Sequence, residues 1–88
     1  MNIVYTGKFK KDVKQLIKQH KSLDKLYEIV EKLSNGKLLP QKNKDHPLIG
    51  KWQSRRDCHI EPDWILIYCI KDDDLILERT GSHSSLFK

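Results

Sequence analysis

Apolar and polar positions divide the chain into two parts of different period. Phe9, Val13, Leu16 and Ile17 recur at spacings of four, three and one, which puts them on one face of a helix. Thr6-Gly7 can cap that helix, and Asn2 to Tyr5 before it reads as a short strand. A second helical stripe, Leu23, Leu26, Tyr27, Val30 and Leu33, follows His20-Lys21-Ser22 and stops at Ser34-Asn35-Gly36, where the glycine suits a helix end. The pattern up to Gly36 thus predicts a strand and an antiparallel helix pair. Residues 37 to 49, with Pro40 and Pro47 and no sustained period, read as an irregular connection over the surface that carries His46.

From Lys51 to Ile60 the period is two. Trp52, Cys58 and Ile60 fall on one face of a strand, and Arg55, Asp57 and His59 on the other. Glu61-Pro62-Asp63 makes a tight connection into Trp64 to Ile70, a continuous apolar run that predicts a central, buried strand. Asp72-Asp73-Asp74 is a turn, Leu75 to Thr80 pairs back as a last strand, and Gly81 leads into a short terminal segment, Ser82 to Lys88. The order of elements predicts an α+β fold in which two N-terminal helices pack on one face of a small antiparallel sheet. The other sheet face is then free for a site.

A chain of 88 residues supports one domain, 1–88, and a single core. A deep enclosed cavity is not expected, which suits a polymeric substrate better than a small one. Charge is uneven: residues 1 to 44 hold 11 lysines against four acids, and residues 45 to 88 hold six basic residues against eight acids. The lysine faces of the helices read equally as a phosphate-attracting surface and as a solvated exterior. The longest apolar run is too short to cross a bilayer, and no apolar leader opens the chain. A soluble cytoplasmic protein with no membrane partner is expected, Cys58 and Cys69 being reduced and packed as small hydrophobes.

Three of the four histidines, His46, His59 and His83, lie in the second half, outside the apolar stripes. Near neutral pH such groups can give or take a proton. Metal-free RNA cleavage needs a base for the 2′-hydroxyl, an acid for the leaving 5′-oxygen and a cation beside the phosphate. Histidines and acids serve the first two tasks, and Arg79, Arg55, Arg56 or Lys51 the third. No Cys-x-x-Cys or His-x-x-x-His spacing and no phosphate-binding glycine loop occurs, so neither metal nor cofactor is expected. Cys58 and His59 point to opposite strand faces, which disfavours a cysteine nucleophile. Trp64 reads first as core and second as a base-stacking platform, and Phe87 is either tucked under the sheet or placed to stack on a nucleotide.

The runs His46-Pro47-Leu48-Ile49-Gly50-Lys51-Trp52, Arg56 to Tyr68, and Glu78-Arg79-Thr80-Gly81-Ser82-His83-Ser84-Ser85-Leu86-Phe87 closely resemble the YafQ subgroup of RelE-type toxins. Tyr5-Thr6, Phe9, Lys11-Asp12 and Lys14 fit the same subgroup less distinctively. The resemblance implies a toxin of a type II toxin–antitoxin pair that enters the ribosomal A site and cleaves mRNA without a metal, with a preference for adenine-rich lysine codons. It implies as partners a cognate antitoxin, forming a hetero-oligomer, and the 70S ribosome with its mRNA. His46, His59, Asp63, Arg79, His83 and Phe87 match the subgroup's functional residues, with Asp57 and Trp64 as supporting members. Lys51, Arg55 and Arg56 remain candidate RNA contacts, although Arg55 stands where relatives carry an aromatic residue. Two other classes stay open, a gyrase-inhibiting toxin without nuclease activity on the same scaffold and a basic RNA-binding module. The cluster of titrating histidines favours the nuclease.

Overall fold

The computed structural model describes residues 1–87. Its elements are β1 (Asn2–Tyr5), α1 (Gly7–Lys18), α2 (Asp24–Ser34), β2 (His46–Pro47), β3 (Arg56–Glu61), β4 (Trp64–Lys71), β5 (Asp74–Gly81) and α3 (His83–Leu86), with 3-10 turns at Gln41–Asn43 and Gly50–Trp52. Thr6 caps α1 by accepting a hydrogen bond from Phe9 N at 3.1 Å. α2 ends as its sequence predicts: Gly36 takes a left-handed backbone (φ +71°), Lys37 N donates to Lys32 O and Gly36 N to Leu33 O, both at 3.0 Å.

The sheet has five strands in the order β1-β5-β4-β3-β2. β2 to β5 pair antiparallel, as expected, whereas β1 joins β5 in parallel, so the sheet is mixed. Parallel pairing follows from the helices: the chain leaves β1 through α1 and α2 and re-enters the sheet far away in sequence, so no hairpin turn fixes an antiparallel partner for β1. Phe9 and Leu16 of α1, and Leu26, Ile29, Val30 and Leu33 of α2, meet Cys58, Ile60, Trp64, Leu66, Tyr68, Leu75 and Leu77 in the main core. α1 packs chiefly over β5 and α2 over β3, so each helix is seated on the sheet. Ile17 and Tyr27, placed on the apolar stripes by spacing, are exposed; each sits one position round the helix from a buried leucine, and Ile29 takes the core position instead.

The predicted strand from Lys51 is shorter than expected. Lys51 and Trp52 lie in a 3-10 turn, Ser54 takes a left-handed backbone (φ +73°), and strand geometry begins at Arg56. Trp52 therefore does not share a face with Cys58 and Ile60. It packs with Leu48, Ile65, Ile67 and Leu86 in a second small cluster on the other sheet face, where α3 covers the sheet.

Residues paired directly across antiparallel strands point to the same face. His46, Asp57, Ile67 and Arg79 form one such row across four strands, and His59, Ile65 and Gly81 form the next. Both rows lie on the face opposite α1 and α2, as the packing of Ile65 and Ile67 shows. The first row depends on an irregularity. Ile67 opposes Arg79 while Tyr68 opposes Leu77, leaving Glu78 as an extra, unpaired residue. This bulge turns Arg79 away from the face that Leu75 and Leu77 occupy and sends Thr80 into the core. It is braced: Thr6 Oγ1 donates to Leu77 O (3.0 Å) and Glu78 O (2.9 Å), and Arg55 Nε donates to Glu78 Oε2 at 3.2 Å.

Beyond the bulge, Thr80 ties the buried layer together. Trp64 Nε1 donates to Thr80 Oγ1 and Thr80 Oγ1 donates to Ile65 O, each at 2.9 Å. Thr80→Val keeps the shape but strips Trp64 Nε1 of its acceptor and Ile65 O of its donor. Leaving buried polar groups unpaired costs about 1–3 kcal/mol, so urea unfolding should show a loss of this size, and Thr80→Ser should recover most of it.

Candidate active site

On the open face, β2 brings His46 against Asp57. His46 Nε2 lies 2.8 Å from Asp57 Oδ1, within ion-pair range when the ring is protonated, yet no N–H among the described residues is aligned to donate to that buried oxygen. His46 Nδ1 lies 3.1 Å from Pro47 O, so both ring nitrogens face protein oxygens. β2 itself went unread in the sequence, because a two-residue strand leaves no period; its proline fits an edge position, where no ladder donor is missed.

α3 brings the second group. Ser82 caps this short helix by accepting from Ser85 N, placing His83 at its first position. Asp63, in the β3–β4 turn, receives His83 N at 3.3 Å and lies 3.2 Å from His83 Nδ1. The His83 ring, followed by the His83 backbone N–H, holds the Asp63 carboxyl below its ordinary pKa. This pair orients the imidazole with Nδ1 occupied, and Nε2 has no hydrogen bond among the described residues. The His59 ring packs against His83 (centroids 5.2 Å apart), Phe87 lies 6.0 Å beyond His83, and Trp52 meets Phe87 edge-on at 6.4 Å. Phe87, 36% exposed, is thus braced by Trp52 with part of its surface open beside the histidines.

Burial pushes the Asp57 carboxyl above its ordinary pKa, against the opposing pull of His46, His59 and His83. Three imidazoles thus converge electrostatically on one buried acid, the environment in which proton-transfer groups are tuned.

Arg79 stands at the far end of the His46–Asp57–Ile67 row. At about 4.8 Å per strand, its Cα is about 10 Å from that of Asp57. Its guanidinium turns over the β5 edge to Asp12 of α1, with Nε donating to Oδ2 at 2.7 Å and Nη2 to Oδ1 at 3.0 Å. Thr80 N donates to the same carboxylate at 3.1 Å, taking the place of a ladder bond where β1 has ended. Asp12 uses only the Nε–Nη2 edge of the guanidinium, so Nη1 and the outer N–H of Nη2 still form a fork suited to phosphate. Arg79 and Asp63 line one groove of about 430 Å³ together with Ser82 and Ser85. Pairing with Asp57 or Asp63, the acids nearest in the strands, does not occur. Asp12 carried a signal that sequence reasoning left unused: it is the one acid in α1, among five lysines.

The remaining candidates separate. Trp64 is buried on the helix side, its indole bonded to Thr80 and its ring 5.0 Å from Lys21 Nζ, so it supports β5 from beneath and offers no stacking platform. Arg56 points to the helix side and pairs with Asp45 (Nε–Oδ1 3.0 Å), away from Asp57 and His59. Arg55 shares the open face but is engaged by Glu78. Lys51 is exposed in its 3-10 turn. Cys58 is a free thiol buried in the core, its pKa driven up by burial. Among the described residues, no group of three or more His, Cys, Asp or Glu side chains is arranged to hold a metal ion, and no helix is long and apolar enough to cross a membrane.

The family model for the bacterial toxin of type II toxin-antitoxin systems, YafQ, matches residues 1–88. The mRNA interferase toxin YafQ of Escherichia coli strain K12 is 51% identical over 87 residues, covering 98% of this chain and 95% of that protein. YafQ in the solved E. coli DinJ–YafQ complex superposes with a TM-score of 0.90 at 49% identity, covering 99% of this chain and 98% of the other. A copper-bound point mutant of a Helicobacter pylori toxin superposes with a TM-score of 0.95 at 40% identity, over 99% of both chains. The fold is thus that of the RelE-like toxins. Within that class, the chain belongs to the YafQ family of type II toxin–antitoxin systems.

The raised pKa of Asp57 has a consequence for stability. Burial penalises the ionised form of this acid only when the chain is folded, so Asp57→Asn should melt at or above the parent's temperature near pH 7. The gap should shrink as pH falls through the raised value and vanish well below the ordinary aspartate value of about 3.9, where the parent's carboxyl is protonated whether folded or not. Melting curves across that range check this, and a less stable Asn variant at pH 7 would show that the His46 contact outweighs burial.

Proposed function

We propose that this chain, acting as one domain, is a ribosome-dependent endoribonuclease that cuts mRNA in the A site in the cytoplasm and is held inactive by a cognate antitoxin. The observation that carries the reading is the oriented His83–Asp63 pair with His59 against it on an open sheet face, with the Arg79 guanidinium at the edge of that face in the groove Asp63 also lines. The E. coli relative's name, mRNA interferase, and the solved DinJ–YafQ antitoxin complex support the activity and the partner.

In this reading the 2′-hydroxyl loses its proton to a base as its oxygen attacks the adjacent phosphorus, and the P–O5′ bond breaks as an acid protonates the leaving oxygen. His83, with Nε2 free, is the leading proton donor or acceptor, and His59 beside it is placed for the complementary transfer. His46, with Nδ1 beside Pro47 O and Nε2 2.8 Å from Asp57 Oδ1, shapes the field around that acid. The open fork of Arg79 meets the non-bridging oxygens as their charge grows. Phe87 packs on the base or sugar. Lys51 and Arg55 contact flanking RNA, while the helix-side position of Arg56 gives it the task of holding Asp45. No step needs a metal ion or cofactor.

Toe-printing on programmed ribosomes tests this directly, since only the nuclease yields new 5′ ends at fixed positions within codons. His83→Ala should lower single-turnover cleavage by about 10²- to 10⁴-fold without lowering the melting temperature. Arg79→Lys should cut slowly with near-normal ribosome binding, because a lysine cannot both hold Asp12 and present a fork to phosphate. Parent-like cleavage by both variants, or inhibition of gyrase with no new RNA ends, would overturn the proposal.

A further inference from the structure

Between the second 3-10 residue and β2, side chains alternate between anchored and exposed. Asn43 is buried (6% exposed) and Asp45 is half-buried, whereas Lys42, Lys44 and His46 are exposed. Each inward residue is fixed to the strands. Asn43 Nδ2 donates to His59 O at 2.7 Å, while Asp45 receives Arg56 Nε at 3.0 Å and Tyr68 Oη at 2.6 Å. The segment is therefore held to β3 at the backbone of His59 itself, and its outward residues form a ridge that runs from two lysines into His46.

Behind the ridge lies a groove of about 490 Å³ between α2 and the end of β3, with His59 in its wall beside Lys42, Asn43 and Lys44. Two further lysines of that groove are paired, Lys25 with Glu61 and Lys32 with Glu28. Lys42 and Lys44 make no ion pair among the described residues, so they are its free cations. His59, whose side chain stands on the open face and whose carbonyl holds Asn43, thus joins the histidine cluster, round the sheet edge, to a positively charged groove on the helix side of a size that holds small ligands. A polyanionic strand whose phosphate lies at His59 and His83 must continue on both sides of that phosphate, and Lys42 and Lys44, at the edge held to His59, offer unpaired positive charge to receive one of the two directions.

We propose that Lys42, Lys44 and the groove behind them bind the sugar–phosphate backbone of the mRNA next to the cleaved bond, with Asn43 as a positioning residue that fixes this ridge to His59. The inference rests on the nuclease reading and adds the path of the substrate. Lysine contacts to phosphate carry no base information, so this surface grips any sequence and leaves codon choice to other groups.

The test uses the full chain on ribosomes programmed with an mRNA whose attacked ribose carries a 2′-methoxy group, which blocks cleavage, and with photoreactive thiouridine at single positions flanking the codon. Cross-links from one flanking position should map to the peptide containing Lys42 and Lys44. With cleavable mRNA, the double reversal Lys42→Glu, Lys44→Glu should lower kcat/KM about 10-fold, chiefly through KM, and reduce the salt slope by about one to two. Binding to ribosomes without mRNA should not change. Asn43→Ala should raise KM in the same direction and add nothing in the double-reversal background, as expected of a residue that acts through those lysines. Cross-links to the protein that avoid this peptide, an unchanged KM and salt slope, or equal loss of binding to empty ribosomes, which would mark a ribosomal RNA dock, each overturn the proposal. Failure of the wild-type chain to cut at all would instead overturn the nuclease reading.

Discussion

One extra residue in β5 governs how this small protein can place chemistry on its sheet. Without Glu78 as a bulge, strict alternation from Leu75 and Leu77 would carry Arg79 to the helix side and Thr80 to the open one, moving the cation off the histidine face and removing the acceptor of Trp64. The bulge costs ladder bonds, and three elements share the burden. Thr6 at the start of α1 holds the two carbonyls, Arg55 holds the Glu78 side chain, and Asp12 receives the amide of Thr80. Helix capping, strand register and site geometry are thus one problem, solved at the junction of α1 and β5.

The same economy appears across the sheet. Residues facing the helices satisfy one another and lock the strands, as in Asp45 with Tyr68 and Arg56, while neighbours on the alternate face stay incompletely satisfied. Asp57 is the clearest case: burial of its carboxyl is opposed by the charge of three histidines, and one of its oxygens has no hydrogen-bond donor among the described residues. Arg79 shows the opposite arrangement, one edge saturated by Asp12 and the other left free, so that its orientation is set before any anion arrives.

Much of this was legible in the residues. Helix stripes, the buried β4 run and the shared face of Asp57 and His59 follow from period alone, and the Gly36 helix end followed from its backbone freedom. What escaped depended on contacts distant in sequence or on elements too short for a period. No pattern in the strands points to the partner of Arg79: Asp12 lies 67 positions away and meets it only because β1 stops short and α1 covers the vacated edge. Trp52 was assigned by alternation to the wrong face, since a 3-10 turn and the left-handed Ser54 break the strand before it. Arg55 kept its face, but its commitment to Glu78 could not be seen without the bulge.

The parallel pairing of β1 with β5 joins the first strand of the chain to the last. During synthesis, Asn2 to Tyr5 emerge early and have no partner until Asp74 to Leu77 have followed them out. The bonds from Thr6 to the bulge, the clasp on Arg79 and the seat of α3 wait on the same event. Timing is thus written into the topology: β2, β3 and β4 can pair as they appear, but a nascent copy cannot complete its sheet until β5 has been made.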